Sequence, residues 1–314
     1  MRSVLITGGA GFIGSATVRH FVEQGWKVTV LDALTYAGRR ENLDGLDVEL
    51  VVGDVCDAEC VGKLVDASEV VLHLAAESHV SRSIEDAFPF LRTNVIGTQT
   101  VLEACRRAQI ARFVHVSTDE VFGSTEVPGG LGIDAGLRPG NPYAASKAAA
   151  EGLIWAVRHT HDYQPIMVRC TNNYGPRQHP EKAVPSWILA AISHGAVPIH
   201  GTGHAIRDWL HVRDFAAGLY RVVEAGVPGV DYHFAGRAAR TNLEVAEQLI
   251  ALLGRGRVVH LQDRPGQDMR YALDDTATRD ALGWSPQISF PRGLADTVRW
   301  YRDARASGRI AQEA

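Results

Sequence analysis

The chain has 314 residues, 46% of them hydrophobic and 22% charged, with 32 basic against 36 acidic side chains for a net charge of −4. That length supports one large α/β domain with a smaller lobe and a sizeable core, and the charge balance excludes a nucleic-acid or anionic-membrane partner held by bulk charge. No run approaches the roughly 20 apolar residues of a membrane span, and Met1-Arg2-Ser3 is too brief a lead for a signal peptide, so a cytoplasmic protein is expected.

Val4-Leu5-Ile6 reads as a first strand and Phe12 to about Gln24 as a helix. Further strands are expected at Val28–Leu31, Val48–Val52, Val70–Leu72, Phe113–Val116 and Ile166–Val168, with helical stretches between them. Apolar strands alternating with helices predict a doubly wound parallel sheet covered on both faces. Gly123 to Gly140 holds six glycines and reads as a loop, either a mobile lid or a surface connection, and the motifs that flank it make the lid the expected reading. Later helices are expected at Val184–Ser193, Asp214–Ala225, Asn242–Leu253 and Phe290–Arg305. Thr241 and Glu244 form a capping box, and Val230–Phe234 adds a strand to the main sheet. We assign 1–168 plus 208–236 to a cofactor-binding domain and 169–207 plus 237–314 to a substrate lobe of mixed α/β structure. Cys56 and Cys60 have no second pair to complete a zinc site, so the four cysteines read as reduced thiols and no metal is expected.

Three motifs carry chemistry. The first is Thr7-Gly8-Gly9-Ala10-Gly11-Phe12-Ile13-Gly14, between a strand and a helix. Its glycines let the backbone approach a pyrophosphate at a helix N-terminus. Asp32 ends the second strand, where a carboxylate bonds a ribose diol and repels a 2′-phosphate, so NAD is expected rather than NADP. Asp54, after the third strand, is either an adenine ligand or a helix N-cap. The second motif is Tyr143-Ala144-Ala145-Ser146-Lys147, which puts phenol and ammonium on one helix face. A close ammonium would lower the phenol's pKa and make it a base; the alternative is an ordinary amphipathic helix start. In the third, Ser117-Thr118-Asp119-Glu120, two adjacent carboxylates stand at the carboxyl end of a strand, where such sheets bind ligands. They are either an acid and a base or the cap of the next helix.

Together these strings resemble the dTDP-glucose 4,6-dehydratase family, NAD-dependent nucleotide-sugar enzymes of the extended short-chain dehydrogenase/reductase type. The likeness runs from about Val4 to Tyr301. It includes Thr35-Tyr36-Ala37-Gly38, His73-Leu74-Ala75-Ala76-Glu77-Ser78-His79-Val80, Thr93-Asn94-Val95-Ile96-Gly97-Thr98, Asn172-Asn173-Tyr174-Gly175-Pro176, Pro180-Glu181-Lys182, Ile206-Arg207-Asp208-Trp209-Leu210 and Asp263-Arg264-Pro265-Gly266. The resemblance implies that Tyr143, helped by Thr118 and Lys147, takes the proton of the carbon 4 hydroxyl as hydride leaves for NAD. Glu120 then removes the carbon 5 hydrogen and Asp119 protonates the departing carbon 6 hydroxyl. It implies cofactor contacts at Gly8, Gly11, Phe12, Ile13, Gly14, Asp32, Thr35, Asp54, Val55, Leu74, Ala75, Ala76, Ser78, Thr93 and Ser117, besides Tyr143 and Lys147. Substrate contacts are implied at Ser78, Thr118, Asn172, Asn173, Lys182, Ala183, Pro198, His200, Arg207, Asn242, Arg264 and Gln267. The basic members suit a diphosphate, although each taken singly could be a surface ion pair.

Ser81, Phe122, His200, Thr202 and Gln267 depart from the family pattern, which leaves the catalytic set whole and alters the nucleotide-recognition set. A 4-epimerase or decarboxylase of nucleotide sugars would leave Asp119-Glu120 unexplained. A non-catalytic NAD-binding protein would be expected to lose Tyr143 or Lys147. By the same likeness, segments Leu91–Cys105 and Tyr143–Val157 pair across a homodimer.

Overall fold

A computed structural model describes residues 2–263 and 268–310. Through the first half the chain runs β1 (Ser3–Thr7), α1 (Phe12–Glu23), β2 (Lys27–Asp32), β3 (Glu49–Val52), α2 (Ala58–Asp66) and β4 (Val70–His73). Short helices α3 (Val80–Glu85) and α4 (Phe88–Phe90) lead through a π-helical stretch, Leu91–Gly97, into α5 (Thr98–Arg107). β5 (Arg112–Thr118), α6 (Pro142–Thr160) and β6 (Ile166–Cys170) complete this half. The second half holds β7 (Asn172–Tyr174), α7 (Ala183–His194), β8 (Ala196–His200), β9 (Ile206–His211), α8 (Val212–Ala225), β10 (Asp231–Phe234) and β11 (Ala239–Thr241). α9 (Asn242–Leu253), β12 (Arg257–Leu261), α10 (Thr276–Leu282) and α11 (Phe290–Ala306) follow.

Seven strands form the main sheet in the order β10-β6-β5-β4-β1-β2-β3, all paired in parallel. Their side chains alternate between two cores. Val4 and Ile6 enter one with Val18, Phe215 and Leu219, while Leu5 enters the other with Val61, Leu102 and Ile154. Period-two alternation with both faces buried makes the central strands β1, β4, β5 and β6 largely apolar runs, which is why they are legible in the sequence. A third core, around Tyr174, Trp187, Trp209, Phe290 and Leu294, belongs to the lobe. Two small sheets frame it, β11-β9-β7 and β12-β8.

The expected division at residue 168 falls inside β6, which stays in the main sheet to Cys170. Residues 208–211 lie in β9, where Trp209–His211 pair with β7 and Asp208 with β11; Trp209 packs into the lobe core and Leu210 into the main core, so this strand joins the two. Leu282 and Trp284 return to the main core, which draws α10 back to the larger domain. The capping box at Thr241 and Glu244 is formed, and Val230–Phe234 supplies β10 as expected.

Residues 123–140 are tied down along their length. Thr125 N donates to Arg270 O at 3.0 Å, Leu131 N to Ala272 O at 3.0 Å, and Asp274 N to Leu131 O at 2.9 Å. Against the expected lid, the bonding favours the packed connection, and it carries residues 270–274 to the edge of the site.

Candidate active site

The turn after β1 is compact because only glycine fits it. A Cβ on Gly14 would stand 2.0 Å from the Gly8 carbonyl oxygen, and Gly8 itself has φ +70°. Gly11 precedes α1 as its N-cap and has no side chain to satisfy the first-turn amides. Free amides and the positive end of the helix dipole fit a pyrophosphate there. Leu74 and Ala75 lie against the same turn: a Cβ on Gly8 would come within 2.7 Å of the Ala75 backbone. Ala75 N donates to Thr7 Oγ1 at 3.2 Å, and Ala76, Ser78 and Thr93 line the continuation of the cleft at intermediate exposure. Asp32 is buried, with Oδ2 accepting from Ala10 N at 2.9 Å and Oδ1 from Leu34 N at 2.8 Å. Burial pushes its carboxyl up while those amides pull it down. Each oxygen keeps a lone pair, so the group still fits a ribose diol.

Asp54 caps no helix; Asp57 caps α2 by accepting from Glu59 N and Cys60 N. Asp54 instead accepts from Cys56 N at 2.9 Å and pairs with Arg92 at 2.7 Å. Burial works against its charge, but Cys56 and Arg92 outweigh it and hold the carboxyl low.

The catalytic motif residues converge at the carboxyl end of β5. Thr118 Oγ1, not Asp119 or Glu120, caps the 3₁₀ turn Asp119–Phe122 by accepting from Glu120 N at 3.3 Å, which removes the capping explanation for the two carboxylates. Asp119 is 3% exposed and its Oδ2 has no partner among the described residues, while Oδ1 accepts from Thr118 Oγ1 at 3.2 Å. Burial, and then the Glu120 charge, push its carboxyl well above the usual range. Glu120 is also raised, first by burial, against the pull of Asn141, Arg207 and Lys182. Asn141 N-caps α6, accepting from Ala144 N at 2.9 Å, and its Nδ2 donates to Glu120 Oε2 at 3.3 Å. A buried pair of this kind titrates as a unit that holds one proton over a wide pH range, which is what an acid beside a base requires.

Tyr143 and Lys147 are both buried on α6, facing the same end of β5. One expectation is corrected here. Lys147 Nζ is turned to the Val116 carbonyl at 2.7 Å, and burial brings its pKa down to about 8. The Tyr143 phenol is pushed well up, by burial first and then by Glu120, so the chain alone keeps it protonated and does not supply a phenolate near neutral pH. Ser117 Oγ is buried without a partner beside them.

On the lobe side, Asn172 and Asn173 end the small sheet with both Oδ1 atoms buried and unpartnered. Lys182 Nζ donates to Ser78 O at 2.7 Å, just ahead of Ala183 at the start of α7. Arg207 has no carboxylate partner among the described residues. Its guanidinium lies 4.4 Å over the Tyr271 ring and donates to Asp268 O at 2.9 Å. Farther out, His200 Nδ1 meets Gln262 O at 3.0 Å at the end of β8, two residues after Pro198, while Asn242 N donates to Ala205 O at 3.0 Å. Arg264 and Gln267 lie outside the described residues. Thr35 and Val55 each lie three residues beyond the ends of β2 and β3, and Val55 is buried. Sequence reasoning missed Asn141, Asp268 and Tyr271. Asn141 before Pro142 was a readable N-cap, whereas nothing local in Asp268–Tyr271 announces its neighbour Glu120.

Residues 4–235 match a family model described as the NAD dependent epimerase/dehydratase family. A dTDP-glucose 4,6-dehydratase from Streptomyces niveus is 46% identical over 316 residues, spanning 96% of this chain and 94% of that protein. Among solved structures, the dTDP-glucose 4,6-dehydratase DesIV from Streptomyces venezuelae, crystallised with NAD, superposes with a TM-score of 0.94 at 42% identity, covering 97% of this chain and 98% of that one. A UDP-glucose 4-epimerase from Thermus thermophilus, in complex with NAD, gives 0.89 at 30% identity over 96% and 99% of the two chains.

Proposed function

Since the chain belongs to the NAD dependent epimerase/dehydratase family, we propose that it is a nucleoside-diphosphate hexose 4,6-dehydratase, with dTDP-glucose as favoured substrate and NAD as cofactor. One observation carries the reading beyond the scaffold: a buried Asp119, with one oxygen unpartnered among the described residues, stands beside Glu120, and burial favours its protonated form. An epimerase has no use for such a pair, because it expels no hydroxyl.

The chemistry supplied by bound NAD is acceptance of a hydride from carbon 4 and its return at carbon 6, together with positive charge on the oxidised ring. Gly8 to Gly14 would hold the pyrophosphate on free amides and Asp32 would take the ribose diol. Tyr143 takes the proton of the carbon 4 hydroxyl, with Thr118 beside it. Its phenol starts high in the chain alone, so proton transfer waits on cationic charge brought into the site. Once carbon 4 is a ketone, the hydrogen on carbon 5 is acidic and passes to Glu120. The electron pair left on carbon 5 expels the carbon 6 hydroxyl, which leaves as water with the proton of Asp119. Arg207 and Lys182 face the diphosphate, with Asn172 and Asn173 offering acceptors to the sugar.

We further read the enzyme as a cytoplasmic homodimer. Phe88, Leu91 and Ile96 are 72%, 47% and 58% exposed, an apolar surface next to α5 and α6 that a second copy would cover. No helix among the described residues is long and apolar enough to cross a membrane. The function is tested by incubating the enzyme with a panel of nucleoside-diphosphate hexoses and reading products by mass. Loss of one water from dTDP-glucose is expected, and conversion without a mass change would replace this reading with epimerisation.

A further inference from the structure

Glu120 has a second layer of support that the dehydration chemistry above does not assign. Tyr271 is 5% exposed, and its one hydroxyl proton is shared between Asp268 Oδ2 at 2.7 Å and, as the weaker second acceptor, Glu120 Oε2 at 3.5 Å. Asn141 Nδ2 reaches that same oxygen at 3.3 Å. Both neighbours therefore gather on Oε2, and Glu120 Oε1 has no hydrogen-bond partner among the described residues. The phenol is itself held in place. Arg207 covers its ring, the Asp268 backbone accepts from Arg207, and Arg270 and Ala272 on either side bond to Thr125 and Leu131.

We propose that Tyr271 and Asp268 are positioning residues for proton abstraction at carbon 5: with Asn141 they pin Oε2 of Glu120 so that Oε1 meets the hydrogen, and the Asp268 carboxylate strengthens Glu120 as a base. This rests on the assignment of Glu120 above. The charged and titratable groups facing Glu120 are Asp119 beside it, Tyr143 on α6, Lys182 ahead of α7, Arg207 on β9, and Asp268 with Tyr271 after β12. Arg207 and Lys182 weaken it as a base, and Asp268 opposes them. Burial, and then Glu120, keep the Tyr271 phenol protonated, so it stays a donor throughout and its proton does not enter the reaction. In the step itself the carbon 5 proton moves to Oε1, the electron pair remains with the sugar, and the phenol–Asp268 hydrogen bond is unbroken.

Two near-isosteric variants of the NAD-loaded enzyme test this with dTDP-glucose in heavy water. Tyr271→Phe keeps the ring under Arg207 and removes the donor. Carbon 5 exchange and water loss should fall by on the order of tenfold, as expected for one lost positioning bond. Oxidation at carbon 4 should persist, so reduced nicotinamide accumulates transiently. Asp268→Asn keeps an acceptor for the phenol and removes the charge. The acid limb of the kcat/KM profile should then move to lower pH, because Glu120 loses a neighbour that favours its protonated form. A wild-type exchange rate in Tyr271→Phe, or an unmoved acid limb in Asp268→Asn, overturns the proposal. Equal loss of carbon 4 oxidation and carbon 5 exchange also overturns it, since that marks a purely structural role. A wild-type enzyme that removes no water from the sugar overturns the dehydratase reading and this proposal together, whereas a dehydrating wild type with unaltered variants overturns this proposal alone.

Discussion

The end of β5 and the paired strands β8 and β12, both assigned above to substrate contact, are built under opposite conditions. At β5, Asp119 is 3% exposed and Tyr143 is 9%; the Asn141 cap fixes Glu120, and the Val116 carbonyl fixes Lys147. On β8, His200 and Pro198 sit at intermediate exposure in a two-stranded sheet, and His200 is held by one carbonyl. Burial magnifies every charge at the first region, so a changed side chain there changes the reaction. The second region is wetter, so a changed side chain alters only which base is preferred. The departures from the family pattern at His200 and Thr202 fall in this second region, and the chemical set at β5 is complete.

Breaking the first region should therefore cost most. Tyr143→Phe keeps the ring and removes the proton acceptor, and turnover should fall by roughly 10²–10⁴; near-normal steady-state rates in that variant would contradict its role. Next come the carboxylates. In Asp119→Asn, loss of the carbon 6 hydroxyl should slow while carbon 4 oxidation continues, so that reduced nicotinamide builds up in stopped-flow absorbance. The pH profile sharpens the point. Glu120 must be ionised and its pKa is raised, so activity is lost as pH falls through that raised value. Asp119 must be protonated and burial pushes its carboxyl well up, so activity is lost again as pH rises and the pair gives up its remaining proton. A bell with both limbs is expected, and Asp119→Asn should remove the alkaline limb.

Smaller effects are expected outside this region. Asp32→Ala should loosen the preference for NAD over NADP, measured by reactivating cofactor-stripped enzyme. Equal activation of the unaltered enzyme by both cofactors would show the ribose assignment to be wrong. The smallest effect belongs to the base. A His ring at position 200 stacks over less area than a Tyr ring, so kcat/KM for dTDP-, UDP-, GDP-, CDP- and ADP-glucose should differ modestly. A preference for the dTDP sugar above about 100-fold, some 2.7 kcal/mol, would show that this wet region discriminates as sharply as a buried one.

The same contrast explains what the sequence disclosed. The inner main strands are readable because they are buried on both faces, and the edge strand β3, which is not, is readable as an apolar run that ends before Gly53. The capping box at Thr241 was readable because it is local. The lobe strands β7, β8, β9, β11 and β12 were not. They are three to six residues long, carry polar side chains, and pair with partners distant in the chain. Spacing put Tyr143 and Lys147 on one helix face but could not show that Nζ turns to a backbone carbonyl, so the direction of the phenol's shift was misjudged. Tyr271 meets Glu120 across 151 residues, a contact no local pattern encodes.

The central claim is that Asp119 and Glu120 make this scaffold a dehydratase. Its most direct test is the turnover of dTDP-glucose in heavy water by the wild-type enzyme and by Glu120→Gln, with products read by mass and proton NMR. The account predicts a wild-type product lighter by one water and carrying deuterium at carbon 5, and neither change with Glu120→Gln. Water loss with carbon 5 deuteration at the wild-type rate in the Glu120 variant, or a wild-type product that keeps all its oxygen, would contradict it.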